Sequence, residues 1–376
     1  MAEKPNEGTR NPRTRDNKGR GQSARVDPQT GSLLFRRLPQ EIRDRIWTQL
    51  FCSTRFAFGK RPINLDLTVR VTPAPNGLAL LRACRRARLE IGDAWLRHVL
   101  FCFEDAGTML DKLSPLAVDA ISKIRHLRIS YTWITLTFPD DFEPDDDLGH
   151  GPGDCKLYHL AAVLKLLPGL QLDRLTVLGS SGGRDNHETL LHLVKDGSGW
   201  KTLRFICYNP TGLWLPLDDD HGWTMLFTRE LQTSIEGRDG VTSNPSVAVY
   251  HARDTALSGS ILDAGNRSRY GQQSPDGQEL RPEVLPGSPD SEPKRELMVV
   301  VKRGDGVDYQ EKKGSPLIEC DLRRELDGTD AWTKIRALCF DGSDDESEAE
   351  DEADVYEDVD QYDWTPAQIY PDGTYP

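Results

Sequence analysis

Three short segments of one form constrain this fold more than anything else in the chain. Ile124-Arg-His-Leu-Arg-Ile129, Leu172-Asp-Arg-Leu-Thr-Val177 and Trp200-Lys-Thr-Leu-Arg-Phe205 all read apolar-x-x-apolar-x-apolar. The alternating ends line up apolar side chains on one side of an extended chain, as a strand with a buried face requires. Trp332-Thr-Lys-Ile-Arg-Ala-Leu338 reads as a looser fourth copy. Between the copies lie stretches of helical period, residues 156–167 and 187–195. Strand, helix and strand in succession need crossover connections, so the pattern predicts an α/β fold with a mainly parallel sheet. Leu127, Leu175 and Leu203 are 48 and 28 residues apart. The second interval has leucine-rich-repeat size and the first carries an acidic insertion, which makes the layer irregular and repeat-like; an ordinary α/β layer is the alternative. Residues 223–235 extend it with a helix, and residues 246–251 and 296–302 with two strands.

Upstream the rhythm is helical. In Leu38-Pro-Gln-Glu-Ile-Arg-Asp-Arg-Ile-Trp-Thr-Gln-Leu50, Pro39 suits a first turn and Glu41 suits the positive end of the helix dipole. Leu38, Ile42, Ile46 with Trp47, and Leu50 recur at helical spacing and predict one apolar face, with Arg43, Asp44 and Gln49 elsewhere. Pro62, Pro73 and Pro75 mark a connector holding a strand over 63–71. A second helix is expected over 77–100, with Gly92 as its break; its run Arg82, Arg85, Arg86 and Arg88 reads as a solvated face able to meet an acidic partner or the chain's own tail.

Charge is distributed unevenly. The net charge is −13, from 60 acidic and 47 basic residues, yet residues 341–376 hold 14 of the acids and none of the bases. The remaining 46 acids against 47 bases exclude the broadly basic body of a simple nucleic-acid binder. With 37% hydrophobic residues, 32 Gly and 24 Pro, parts of the chain should stay unpacked. The division that follows is a disordered basic arm (1–31), a helical region (32–105), an α/β repeat-like domain (106–254), a disordered insertion (255–293), returning strands (294–340) and an acidic disordered tail (341–376). Ser343 and Ser347, each with an acid three positions on, are candidate sites for an acidophilic kinase. Seven dispersed cysteines without a C-x-x-C pair support neither a zinc ribbon nor a disulfide scaffold. Residues 1–30 lack the apolar core of a signal peptide, and no stretch approaches a membrane span of ~20 residues. A reducing compartment, cytoplasm or nucleus, is the expectation.

Candidate chemistry is sparse. Gly179-Ser-Ser181-Gly-Gly183 matches G-x-S-x-G between a strand and a helix, which would make Ser181 a nucleophile with Asp218 and His221 or His251 downstream. However, Arg184-Asp185-Asn186 reads as a loop where a nucleophile elbow enters its helix at once. Asp140, Asp141, Glu143 and Asp145–Asp147 precede His150, Asp154, Cys155 and His159 without the spacing of a known metal loop, so a solvated acidic loop is expected and no metal or cofactor. The tryptophans fall at core positions, which leaves little for nucleic-acid stacking.

The stretches Leu33-Leu-Phe-Arg-Arg-Leu-Pro-Gln-Glu-Ile-Arg-Asp-Arg-Ile-Trp47, Ala79-Leu-Leu-Arg-Ala-Cys-Arg-Arg-Ala-Arg-Leu-Glu90 and Leu100-Phe-Cys-Phe103 resemble a class of fungal F-box-like proteins. The resemblance covers residues 32–105. It implies a leader helix that docks on the linker subunit of a cullin-based (SCF-type) ubiquitin ligase, with a downstream domain holding a substrate protein. Leu38, Pro39, Ile42, Ile46 and Leu50 would be the docking residues, and the chain would be an adaptor that makes no covalent bond itself. About 27 residues separate the two helices where a compact F-box has a short turn, so a cap without ligase contact is the second expectation.

Overall fold

The computed structural model describes residues 31–64, 67–71, 78–130, 133–137, 155–179, 183–207, 223–252, 261–262, 270–272, 297–318, 321–323 and 332–338. In chain order the strands are β1 (Arg55–Asn64), β2 (Leu67–Val71), β3 (Leu100–Phe103), β4 (His126–Ile129), β5 (Trp133–Thr137), β6 (Cys155–His159), β7 (Leu172–Leu178), β8 (Trp200–Cys207), β9 (Ser246–Ala252), β10 (Tyr270–Gln272) and β11 (Leu297–Lys302). The helices are α1 (Leu33–Arg37), α2 (Gln40–Cys52), α3 (Ala79–Ala83), α4 (Arg85–Ile91), α5 (Ala106–Leu113), α6 (Val118–Ile121), α7 (Leu160–Leu164), α8 (Gly183–Lys195), α9 (Trp223–Asp239) and α10 (Trp332–Leu338).

The chain is mixed α/β around a nine-stranded sheet of order β10-β9-β11-β8-β7-β4-β3-β1-β2. Its centre, β1, β3, β4, β7 and β8, is parallel and advances in chain order. Antiparallel strands finish both edges. The repeated leucines meet in register: Phe56, Phe101, Leu127, Leu175, Leu203, Val301 and Val247 form one row across seven strands. A second row, from Phe58 and Phe103 through Ile129, Val177 and Phe205 to Val299 and Val249, lies two residues further along. Against this face pack α5, α7, α8 and α9, with α5 touching α7, α7 touching α8 and α8 touching α9. Helix α5 shows why: Ala106, Met109, Leu110 and Leu113 are buried at the i, i+3, i+4, i+7 spacing of one helical stripe. Each of its large apolar side chains contributes about 1.5–3 kcal/mol on burial. Asp105 caps it, accepting from the Thr108 backbone N–H at 2.6 Å and the Thr108 hydroxyl at 2.7 Å.

The opposite face differs. Its rows include Arg55, His126 and Arg174, and one step on Arg128, Thr176 and Arg204. Burial foremost, then Arg174, His98, Arg125 and Arg204, hold the His126 pKa down at about 3. At the strand ends of this face Leu178 and Ile206 form a small apolar cluster with Ile261 and Leu262.

Several expectations need correction. The looser fourth copy is helix α10, with Trp332 and Ile335 buried on one side and Thr333, Lys334 and Arg336 exposed on the other. Residues 156–159 belong to β6, paired with β5 in a separate two-stranded sheet, and only Leu160–Leu164 is helical. All five residues of α7 are buried, so it has no polar face. The helix over 77–100 breaks at Gly92 as expected, whose φ of +52° favours glycine, but also at Cys84, in extended backbone with its Sγ accepting from the Ala87 N–H at 3.3 Å. Leu100 opens β3 instead of closing a helix. The connector strand is a hairpin, β1 and β2, and its first half joins the main sheet beside β3. Within 255–293, Ile261 and Leu262 are buried and Tyr270–Gln272 pairs with β9. The arm (1–30), the tail and the rest of the insertion lie outside the described residues.

Candidate protein-docking site

Helix α2 is positioned by an ion pair between elements far apart in sequence. Leu38, half-buried and extended as a residue before proline tends to be, links α1 to α2. Pro39, exposed, is the N-cap one position before the expected first turn, and its carbonyl accepts from the Arg43 N–H at 3.2 Å. Arg43 then points inward. Its Nε and Nη2 donate to Glu90 Oε2 and Oε1 of α4, both at 2.9 Å, and Nη1 donates to the Leu38 carbonyl at 2.6 Å. Arg86 Nε shares Glu90 Oε1 at 3.2 Å. The Arg43 and Arg86 guanidinium carbons lie 5.4 and 4.5 Å from the Phe35 ring centroid, cation–π contacts that tie α1 to both helices.

This frame sets the rotation of α2. Trp47, Phe51 and Cys52 are buried with Arg43, and Phe51 meets Trp95, which in turn contacts Phe56 of β1 and Phe101 of β3. The single apolar face expected from the sequence is therefore two faces. Trp47 belongs to the inner one, whereas Ile42, Ile46 and Leu50 stand 40, 40 and 41% exposed on the outer one. Arg43, expected among the polar positions, is 5% exposed and sits in the core. At four-residue intervals and ~1.5 Å rise per residue, the outer stripe runs about 12 Å along the helix. Fully burying such side chains is worth about 1.5–3 kcal/mol each, so covering the remaining two-fifths would add roughly 2–3.5 kcal/mol for the three. Singly scattered exposed apolar side chains are ordinary on a protein surface, whereas these three share one helical stripe.

The helical region is continuous with the sheet: Phe35, Trp47 and Phe51 share one core cluster with Leu127, Leu175 and Leu203. The frame residues Phe35, Arg43 and Glu90 were not legible as functional, since nothing local pairs positions 47 residues apart.

The other candidates lead elsewhere. Ser181, Asp218 and His221 lie outside the described residues, and β9, which carries His251, is three strands from β7, about 14 Å at the usual ~4.8 Å spacing. Gly179 is explained by packing: a Cβ there would lie 2.6 Å from Asn186 Oδ1 and 3.2 Å from Cys207 Sγ. Residues 140–150 and Asp154 are likewise outside the described residues; His159 ends β6, where its ring stacks on His192 with centroids 5.0 Å apart. Among the described residues no group of three or more His, Cys, Asp or Glu is placed to hold a metal ion. Cys52 and Cys207 are free thiols, and burial raises both, Cys52 to about 11. An open groove of about 560 Å³ lies between α5 and α10; its carboxylate, Asp111, is committed to Trp332 Nε1 at 2.6 Å and to Arg336. Among the described residues no helix is long and apolar enough to cross a membrane. No protein-family model, curated protein or solved structure matches this chain.

Proposed function

We propose that this protein is a non-enzymatic, F-box-like adaptor, a substrate-recognition subunit of a cullin-based ubiquitin ligase. Ile42, Ile46 and Leu50 dock the linker subunit, with Leu38 and Pro39 at the leading end of the helix. The irregular, leucine-rich-repeat-like strand and helix layer presents a substrate protein. The mechanism is proximity: one surface holds the ligase and another the target. The observation that carries the reading is the outward stripe of α2, a helix whose other side is locked inward by the Arg43–Glu90 pair. The test is co-purification of the full chain with the linker subunit. It should be lost in an Ile42→Asp/Ile46→Asp variant whose circular dichroism and cooperative melting show that it remains folded at the assay temperature, and equal recovery with both chains would remove the docking role.

A second reading, an F-box-like scaffold without ligase contact, is favoured by one observation. The β1–β2 hairpin between α2 and α3 sends β1 into the main sheet, where a compact F-box has a short turn. The scaffold reading predicts other protein partners on the same stripe and no linker subunit among them.

A further inference from the structure

The helical cap carries a second surface, basic instead of apolar. Helices α1, α3 and α4 together hold six arginines and one acid, Glu90. Glu90 is consumed by Arg43 and Arg86. Arg36, Arg37, Arg82, Arg85 and Arg88 all stand exposed. Because the Phe35 ring lies against the Arg86 guanidinium, α1 and α4 are neighbours, which brings their exposed arginines into one region of the cap. Like charges gathered this way repel one another by amounts that an anionic partner relieves.

The chain supplies such a partner. Residues 341–376 carry 14 acids and no base, and eight of those acids fall between Asp341 and Glu352. The tail also starts from the right end of the molecule. The last described element, α10, packs on α5 through Trp332 and Asp111, and α5 packs on β1 and β3. The cap sits on the same two strands through Trp95. From Leu338 the run 341–352 begins three residues on, and its far end, 14 residues away, lies within roughly 46 Å extended and about 20 Å as a flexible coil. A tether of that length holds the tail at roughly millimolar effective concentration, enough for a weak, purely electrostatic contact to form. The other acidic run, residues 138–154, is held at both ends by the β5–β6 pair, with Thr137 opposite Cys155, and its midpoint lies within about 28 Å of that pair.

We propose that the acidic tail, centred on residues 341–352, docks in cis on the arginine surface of α1, α3 and α4. The contact is electrostatic and reversible, so phosphate on Ser343 or Ser347 strengthens it. If the α2 stripe docks a partner as proposed above, the seated tail competes at the edge of that site; this consequence rests on the proposed function, whereas the cis contact does not.

The test uses the full chain with a photo-crosslinking p-benzoylphenylalanine in place of Ala349, and mass spectrometry of the adducts. At low salt, intramolecular adducts should map to residues 31–52 or 79–97. Their yield should fall at least fivefold at ~1 M NaCl, where the Debye length is ~3 Å. It should fall as far in Arg85→Glu/Arg88→Glu, and in Asp344→Asn/Asp345→Asn/Glu346→Gln, with unchanged circular dichroism in both chains. No adducts, adducts only between chains, adducts mapping to other elements such as the arginine-bearing sheet face, or a yield indifferent to salt would overturn the proposal.

Discussion

Replacing Glu90 by Gln should be among the most destabilising single changes in the cap. Arg43 and Glu90 have side chains only 7 and 15% exposed, and the pair holds α2 against α4 through two 2.9 Å bonds. Removing one member of a buried pair costs about 3–5 kcal/mol because the other charge stays buried without compensation. Glu90 retains some exposure, which argues for the low end, about 3 kcal/mol. Arg43→Met should cost less, about 2 kcal/mol, because Glu90 keeps Arg86 at 3.2 Å. Arg43→Met/Glu90→Leu removes both charges and replaces them by apolar volume, so it should return to within about 1 kcal/mol of wild type. With Glu90→Leu as the matching single change, also expected to cost about 3 kcal/mol, the cycle predicts a coupling well above 1.5 kcal/mol in urea unfolding followed by tryptophan fluorescence. A Glu90→Gln cost under 0.5 kcal/mol, or additive single changes, would refute the claim that this pair sets the rotation of α2.

Three further outcomes follow from the same geometry. Trp47→Ala, at 6% exposure, should cost about 3–5 kcal/mol, whereas Ile46→Ala next to it, at 40%, should cost under about 1 kcal/mol; equal melting shifts would contradict the two-faced helix. Gly179→Ala should lower stability by about 1–3 kcal/mol by thermal melting, since the new methyl would lie 2.6 Å from Asn186 Oδ1, and an unchanged melting temperature would show that Asn186 can move aside. The His126 pKa is depressed to about 3 by burial first and by its cationic neighbours second, against ~6.5 unfolded, so the unfolded chain takes up the proton first as pH falls. Stability present above ~6.5 is then lost towards pH 3 at about 1.4 kcal/mol per unit; His98 and His187, also lowered by burial, act in the same direction. His126→Leu should remove one proton's worth of that slope between pH 6.5 and 5, and an unaltered slope would contradict a neutral, buried His126.

The sheet was legible because its strands repeat a period. Leu127, Leu175 and Leu203, chosen from sequence alone, stand side by side in register. The 48-residue interval also has its explanation, since β5, residues 138–154 and β6 are inserted between two adjacent parallel strands. What failed was rotation about a helix axis. Ile42, Ile46 and Leu50 lie only ~100° from Arg43, Trp47 and Phe51, so periodicity alone merges two apolar stripes. Which stripe turns inward depends on Glu90, and no local rule reaches 47 residues away. Short segments failed for a related reason: the five buried residues of α7 have no polar side to reveal their period, and the seven residues Trp332–Leu338 are too few to separate helix from strand. Phe56 and Phe58 did alternate as a strand, but the nearby prolines obscured them.

The most direct measurement is a calorimetric titration of the full chain with purified cullin-linker subunit, wild type against Ile46→Ala and Ile42→Asp/Ile46→Asp. The account predicts saturable binding, weakened about three- to sevenfold by losing the Ile46 side chain and more than thirtyfold by the paired aspartates, while all three chains remain folded at the titration temperature. Absent binding, or binding with the same Kd for all three chains, would contradict it.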